Sequence, residues 1–221
     1  MKHMMALLVA FILGNFCEAN EQDYIIDVDF PGGNIIVNKH QSTSTFYYEL
    51  SEDIVSLRPD MRDTKRDWFY WCFRVSGAEN RTLQFKFPGG HVGPFGPAIS
   101  IDGGKTWRWL LDSATSGNNG FQYTFDGEAK EVLFSSVIPY LQSHFNTFIA
   151  SIQNSRLVDI GSLTTSGKGR RVEKLIIQKP KTTPQYRVLL TARHHACEAM
   201  ASYVLEGIID SVLQGDDTSM Q

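Results

Sequence analysis

The stretch Val188-Leu189-Leu190-Thr191-Ala192-Arg193-His194-His195-Ala196-Cys197-Glu198 decides how the second part of the chain is read. Its apolar start, inside Tyr186 to Ala192, predicts a strand buried in the middle of a sheet. Beyond it, Met200, Tyr203, Val204, Ile208 and Val212 recur at helical spacing until Gly215 and two aspartates end the pattern. Upstream, Val172 to Ile177 reads as a second strand, and a polar, glycine-containing stretch from Gly161 to Arg171 precedes it as an interruption. Before that interruption Leu141, Phe145, Phe148, Ile149 and Ile152 mark a helix, with Pro139 suited to its first turn. Strand and helix alternate, so residues 138–221 read as the opening of an α/β domain.

From Tyr24 to about Ser136 the pattern is all β. Leu83-Gln84-Phe85-Lys86-Phe87 alternates strictly, as a strand with one wet face does, whereas Trp68 to Val75 is aromatic on both faces and predicts burial on both sides. Ala98 to Leu110 contains the turn signal Asp102-Gly103-Gly104, and Phe121 to Phe125 and Val132 to Val137 predict further strands. Glycine-rich punctuation separates these segments, and no internal repeat is visible. Short strands at this spacing predict a β-sandwich over residues 20–137. The expected fold is therefore two-part: an all-β sandwich followed by the N-terminal portion of an α/β domain.

The first residues stand apart. Lys2 and His3 precede an apolar run from Met4 to Leu13, and Cys17-Glu18-Ala19 offers small residues for cleavage, so residues 1–19 read as a signal peptide cut after Ala19. The run is too short for a membrane span. This predicts a secreted or periplasmic protein with no membrane attachment after cleavage. Cleavage leaves Cys72 and Cys197, too few for a disulfide framework, so packing must supply stability. Hydrophobic residues are 42% of the 221, enough for a real core. A net charge of −3 with interspersed signs offers no basic stripe, which argues against a nucleic-acid partner.

The chemistry-bearing residues follow the apolar run, at the carboxyl end of the expected strand, where ligand sites of α/β sheets gather. His195 and Glu198 are three apart, a spacing that at a helix entrance can aim an imidazole and a carboxylate at one point. Such donors suit zinc. Spacing alone favours the plainer reading, a histidine at a helix N-terminus beside an acidic residue that complements the dipole.

The context adds more. Ala192-Arg193-x-His195-x-x-Glu198, after an apolar strand and before a helix, resembles the first metal motif of the zinc carboxypeptidases related to carboxypeptidase A. The branch it looks most like is the cytosolic-carboxypeptidase-like one, whose members carry a β-sandwich before the catalytic domain. Leu57-Arg58-Pro59-Asp60, Trp68-Phe69-Tyr70 and Phe73-Arg74-Val75-Ser76 are similar to the sandwich signature of that branch. Ser136 to Tyr140 resembles its interdomain junction, and Gly167 to Ile177 its turn and strand before the metal motif.

The resemblance implies a metallocarboxypeptidase, a hydrolase that binds Zn2+ and removes C-terminal residues from a peptide substrate with a free C-terminus. His195 and Glu198 would be two of its three zinc ligands. Arg193 matches the motif without a catalytic role, His194 is a neighbour, and Cys197 is a weaker candidate donor. The pair Ala196-Cys197 departs from the usual Pro-Gly, which leaves substrate preference open. In the family a distal histidine, an asparagine-arginine pair and a general-base glutamate follow much later. Here 23 residues follow Glu198, with no histidine and no arginine among them. The expectation is a fragment with no catalytic residue within this chain, inactive alone and holding zinc weakly. The branch suggests acidic C-terminal residues as targets; an exported location makes a cell-wall peptide equally plausible. Oligomeric state is open.

Two rival readings carry specific residues. Ser100-Ile101-Asp102-Gly103-Gly104-Lys105-Thr106-Trp107 fits the Asp-box hairpin of sialidases and other propellers. One copy does not make a propeller, so a stable hairpin is expected, with Ser100 and Asp102 bonding the turn and Trp107 packed beneath it. A secreted β-sandwich binding module would use Trp68, Trp71, Trp107 and Trp109 to stack a carbohydrate, although aromatics in a sandwich are more often core. Gly167-Lys168 lacks phosphate-loop spacing, and nothing resembles a nucleophile elbow. Asn80-Arg81-Thr82 is a glycosylation sequon, meaningful in a eukaryotic secretory host.

Overall fold

The structure is a computed structural model that describes residues 24–38, 45–46, 54–62, 69–111, 115, 117–179, 181 and 183–215. The expected signal peptide, Cys17 and Trp68 lie outside these residues.

Ten short strands come first: β1 (Ile25–Asp27), β2 (Val37–Asn38), β3 (Thr45–Phe46), β4 (Ile54–Ser56), β5 (Cys72–Ser76), β6 (Thr82–Lys86), β7 (Ala98–Ser100), β8 (Arg108–Trp109), β9 (Gly120–Thr124) and β10 (Glu131–Ser135). They form a five-stranded sheet in the order β1-β5-β10-β7-β8, a three-stranded sheet β4-β6-β9, and the small pair β2-β3. All pairings are antiparallel except β4 with β6. The alternation in β6 is realised: Leu83 and Phe85 are buried while Gln84 and Lys86 are exposed. In β5, Cys72, Phe73 and Val75 are buried. Its Arg74 instead binds Asp27 of β1 and Glu131 of β10, one carboxylate on each neighbouring strand.

The two larger sheets share one core. Phe73 and Phe134 of the five-stranded sheet meet Phe85 and Phe121 of the three-stranded sheet at ring-centroid distances of 4.8–5.3 Å for five of their six pairs. Each fully buried ring of this kind contributes on the order of 1.5–3 kcal/mol. Trp71 is also sealed inside, stacked 4.4 Å from Phe87, and its indole N–H donates to the His91 carbonyl at 2.7 Å. A buried indole needs that partner, and a side chain so placed offers no sugar platform. Trp107 and Trp109 are half-buried. The hairpin between β7 and β8 has the expected bonding: Asp102 accepts from the Ser100 and Thr106 hydroxyls and from the Lys105 and Thr106 amides, and the Trp107 indole donates to the Gly104 carbonyl.

The later residues form α1 (Gln142–Ile152), β11 (Val158–Thr165), β12 (Arg171–Ile177) and α2 (Ala199–Gln214). Helix α1 starts three residues beyond Pro139, where the Leu141 amide donates to His144 Nδ1 at 2.9 Å, and it buries Phe148 and Ile152. Two expectations need correction. Gly161 to Arg171 is not a loop throughout; β11 occupies its first part and forms an antiparallel hairpin with β12, with a register shift between Ser162 and Thr164. Pairing with β12 imposes the strand on a polar sequence that carries no period of its own. Conversely, Tyr186 to Ala192 is not a strand. Val188 and Leu189 are 83% and 86% exposed, because a strand exists only through ladder bonds to a neighbour and none lies beside it among the described residues. The β11-β12 hairpin and the two helices are the regular elements among the described residues of 138–221.

Candidate metal centre

The segment before α2 folds back on itself. Glu198 occupies the N-cap position but makes no capping bond to the helix; its carboxylate turns to His195. Oε1 lies 2.9 Å from His195 Nδ1, and Oε2 accepts from the His195 amide at 3.2 Å. The turn is closed by the Glu198 amide donating to the His195 carbonyl at 3.0 Å. The spacing of three thus brings imidazole and carboxylate together, and both side chains face solvent. His195 holds the Glu198 carboxyl below its ordinary pKa, first through the side-chain hydrogen bond and then through its amide. An anion at this helix N-terminus is favourable in any case.

The pair can be tested against a metal. In a tetrahedral zinc site, ligand bonds of about 2.0–2.2 Å separate a nitrogen from an oxygen by about 3.4 Å. Nδ1 and Oε1 are already within half an ångström of that separation, so a small side-chain rotation would let both face one ion. The two donors fit zinc in type and placement. Among the described residues no third histidine, cysteine or acidic side chain joins them.

The neighbouring residues divide cleanly. His194 Nε2 pairs with the Thr191 hydroxyl at 2.8 Å, apart from the His195–Glu198 pair. Cys197 is buried, and burial raises its thiol pKa, which makes it a poor donor. Arg193 reaches in the other direction. One guanidinium nitrogen donates to the Tyr140 carbonyl at 2.7 Å and the other to the Ala196 carbonyl at 2.6 Å. Tyr140 belongs to the segment that joins β10 to α1. Its buried ring meets Tyr203 edge-on at 5.0 Å, its hydroxyl donates to Glu206, and the Tyr203 hydroxyl donates to the Pro139 carbonyl at 2.8 Å. The sequence marks Pro139-Tyr140 as a junction but gives no sign that Arg193 binds it.

A separate cleft of about 630 Å3 lies between the outer face of the five-stranded sheet and the helices, with Arg74, Trp107, Leu133, His144, Tyr203 and Glu206 on its wall. His195 and Glu198 do not line it.

No protein-family model matches the chain. It is 23% identical over 202 residues to an uncharacterized protein of Zymomonas mobilis, a match that covers 87% of this chain and 48% of the relative. Among solved structures it is similar to a metallo-carboxypeptidase from Burkholderia cenocepacia (TM-score 0.71, 19% identity, 88% of this chain and 50% of that one). It is similar also to a metallo-carboxypeptidase from Pseudomonas aeruginosa solved in complex with (2-guanidinoethylmercapto)succinic acid (TM-score 0.65, 23% identity, 87% and 50%). The chain therefore has a metallo-carboxypeptidase-like fold and spans about half the length of the proteins it matches.

Proposed function

We propose that this chain is the amino-terminal part of a zinc carboxypeptidase, with His195 and Glu198 as two of the metal donors. The observation that carries the proposal is the convergence of those side chains at the entrance to α2, in a chain that shares its fold with metallo-carboxypeptidases. The two sheets are read as a β-sandwich domain over residues 20–137. Residues 138–221 are read as the start of the α/β catalytic domain, and residues 1–19 as a signal peptide that sends the protein to a secreted or periplasmic location. The sandwich signature is read as that of the cytosolic-carboxypeptidase-like branch.

When bound, zinc would polarise a scissile carbonyl and lower the pKa of its water. His195 would give a ring nitrogen, and Glu198, whose carboxyl pKa is lowered by its bond to His195, would give a carboxylate oxygen. Glu198 also orients the imidazole through Nδ1 in the absence of metal. The substrate class is a peptide with a free C-terminal carboxylate. The succinic acid portion of the ligand held by the Pseudomonas aeruginosa protein, a dicarboxylate, is consistent with that class. With two donors and no catalytic residue of its own, this chain is expected to hydrolyse no peptide unaided.

Calorimetric titration of the purified chain with zinc tests the donor assignment. Weak binding is expected, reduced by His195→Ala and by Glu198→Gln and unaffected by His194→Ala. Tight binding that survives His195→Ala, or chelator-sensitive peptidase activity of the chain alone, would count against the proposal.

A further inference from the structure

We infer that Arg193 is a positioning residue that ties the His195–Glu198 turn to the segment leaving the β-sheets. The inference rests on the metal reading of that pair and adds that the turn takes its shape from the Pro139–Leu141 segment. Three observations carry it. First, Arg193 has φ 59°, a left-handed conformation that a non-glycine residue adopts at a cost and keeps only when other contacts hold it. Second, its guanidinium spans two carbonyls, Tyr140 at 2.7 Å and Ala196 at 2.6 Å. Ala196 lies between the two donors, so this single side chain fixes the backbone of the turn to a residue 53 positions earlier. Third, the far anchor is itself held: Tyr140 is buried, its ring packs on Tyr203, and its hydroxyl donates to Glu206.

The fork geometry matters more than the charge. A planar guanidinium can serve two carbonyls at once from fixed positions, whereas a lysine ammonium on a flexible stem cannot be expected to hold both. Losing the clamp frees the 195–198 turn to open, which separates two donors held together only by local bonds. Residues that orient a metal ligand typically cost roughly 10-fold or more in metal affinity when removed.

The test uses the purified chain with Arg193→Gln and Arg193→Lys, read in two independent ways. In the metal-free protein, hydrogen exchange of the Glu198 amide, which closes the turn, should accelerate in both variants, while exchange within β5 and β10 stays at the wild-type rate. In cobalt(II) titrations followed by visible absorption, both variants should bind roughly 10-fold more weakly than wild type. Unchanged Glu198 exchange in Arg193→Gln would overturn the inference. So would a loss of thermal stability with cobalt affinity intact, since that is the signature of a merely structural arginine. Full rescue by Arg193→Lys would overturn the two-carbonyl clamp in favour of simple charge. If wild type binds no cobalt, the metal reading fails by itself, and the exchange measurement still decides the role of Arg193.

Discussion

At the scale of single residues, the same device appears twice: a short polar side chain folds a local turn and is held ionised by doing so. Glu198 does this for His195, and Asp102 does it for the β7–β8 hairpin. Bonds from the Thr106 hydroxyl and amide, and then from the Ser100 hydroxyl, hold the Asp102 carboxyl far below the ordinary carboxylate range. The linkage has a definite sign. A carboxyl whose pKa is lower folded than unfolded contributes stability that is fully present above the unfolded value of about 3.9 and is lost as pH falls towards the folded value. Asp102→Asn should therefore be less stable than wild type near neutral pH, by a margin that shrinks below pH about 4 as the wild-type carboxylate is protonated. Denaturant unfolding of both proteins across that range measures the margin. A margin that stayed constant with pH would mean that ionisation of Asp102 does not hold the turn.

At the scale of elements, the local features were legible and the non-local ones were not. The alternation in β6 and the His195–Glu198 spacing are set within a few residues, so the sequence shows them directly. β11 has no such period, since Gly161, Ser162, Thr164 and Thr165 become a strand only by pairing with β12. Tyr186 to Ala192 fails for the opposite reason: its composition suits a strand, but composition supplies no partner. The Arg193–Tyr140 contact is invisible because its two ends are far apart in the chain. β9 illustrates how closely a pairing can constrain one position. A Cβ added at Gly120 would sit 2.4 Å from the Phe85 carbonyl oxygen on β6, and that oxygen is backbone in the three-stranded sheet and cannot move aside. Gly120→Ala should cost about 1–3 kcal/mol, the usual range for forced overpacking. Gly93→Ala, where a Cβ meets nothing within 4 Å, should be near neutral and serves as the control. Equal denaturation midpoints for Gly120→Ala and wild type would show that β9 can shift on β6.

At the scale of the whole molecule, apolar burial is uneven. The two sheets enclose a dense aromatic core, whereas the later residues leave apolar side chains in water. Tyr186, Val188, Leu189 and Leu190 are exposed along the irregular segment, and Val204 and Ile208 are exposed on α2. No helix among the described residues is long and apolar enough to cross a membrane, so lipid burial by a spanning helix does not account for this surface. Solved structures of this fold are about twice as long as the chain, which is consistent with the proposal that further strands and helices of a catalytic domain cover it. A polypeptide that leaves such a ribbon uncovered gains roughly 25 cal/mol for each Å2 of apolar surface it removes from water, and association is the available route. The purified chain should therefore self-associate with rising concentration in sedimentation velocity runs. Val188→Lys with Leu189→Lys should shift it towards monomer, because charge on the ribbon makes its burial costly. Neither residue touches the core of the two sheets, so the near-ultraviolet signal of Trp71 should not change. Monomeric wild type at every concentration would mean that the ribbon is covered from within the chain, and the unpaired state of Tyr186 to Ala192 would then need a different physical cause.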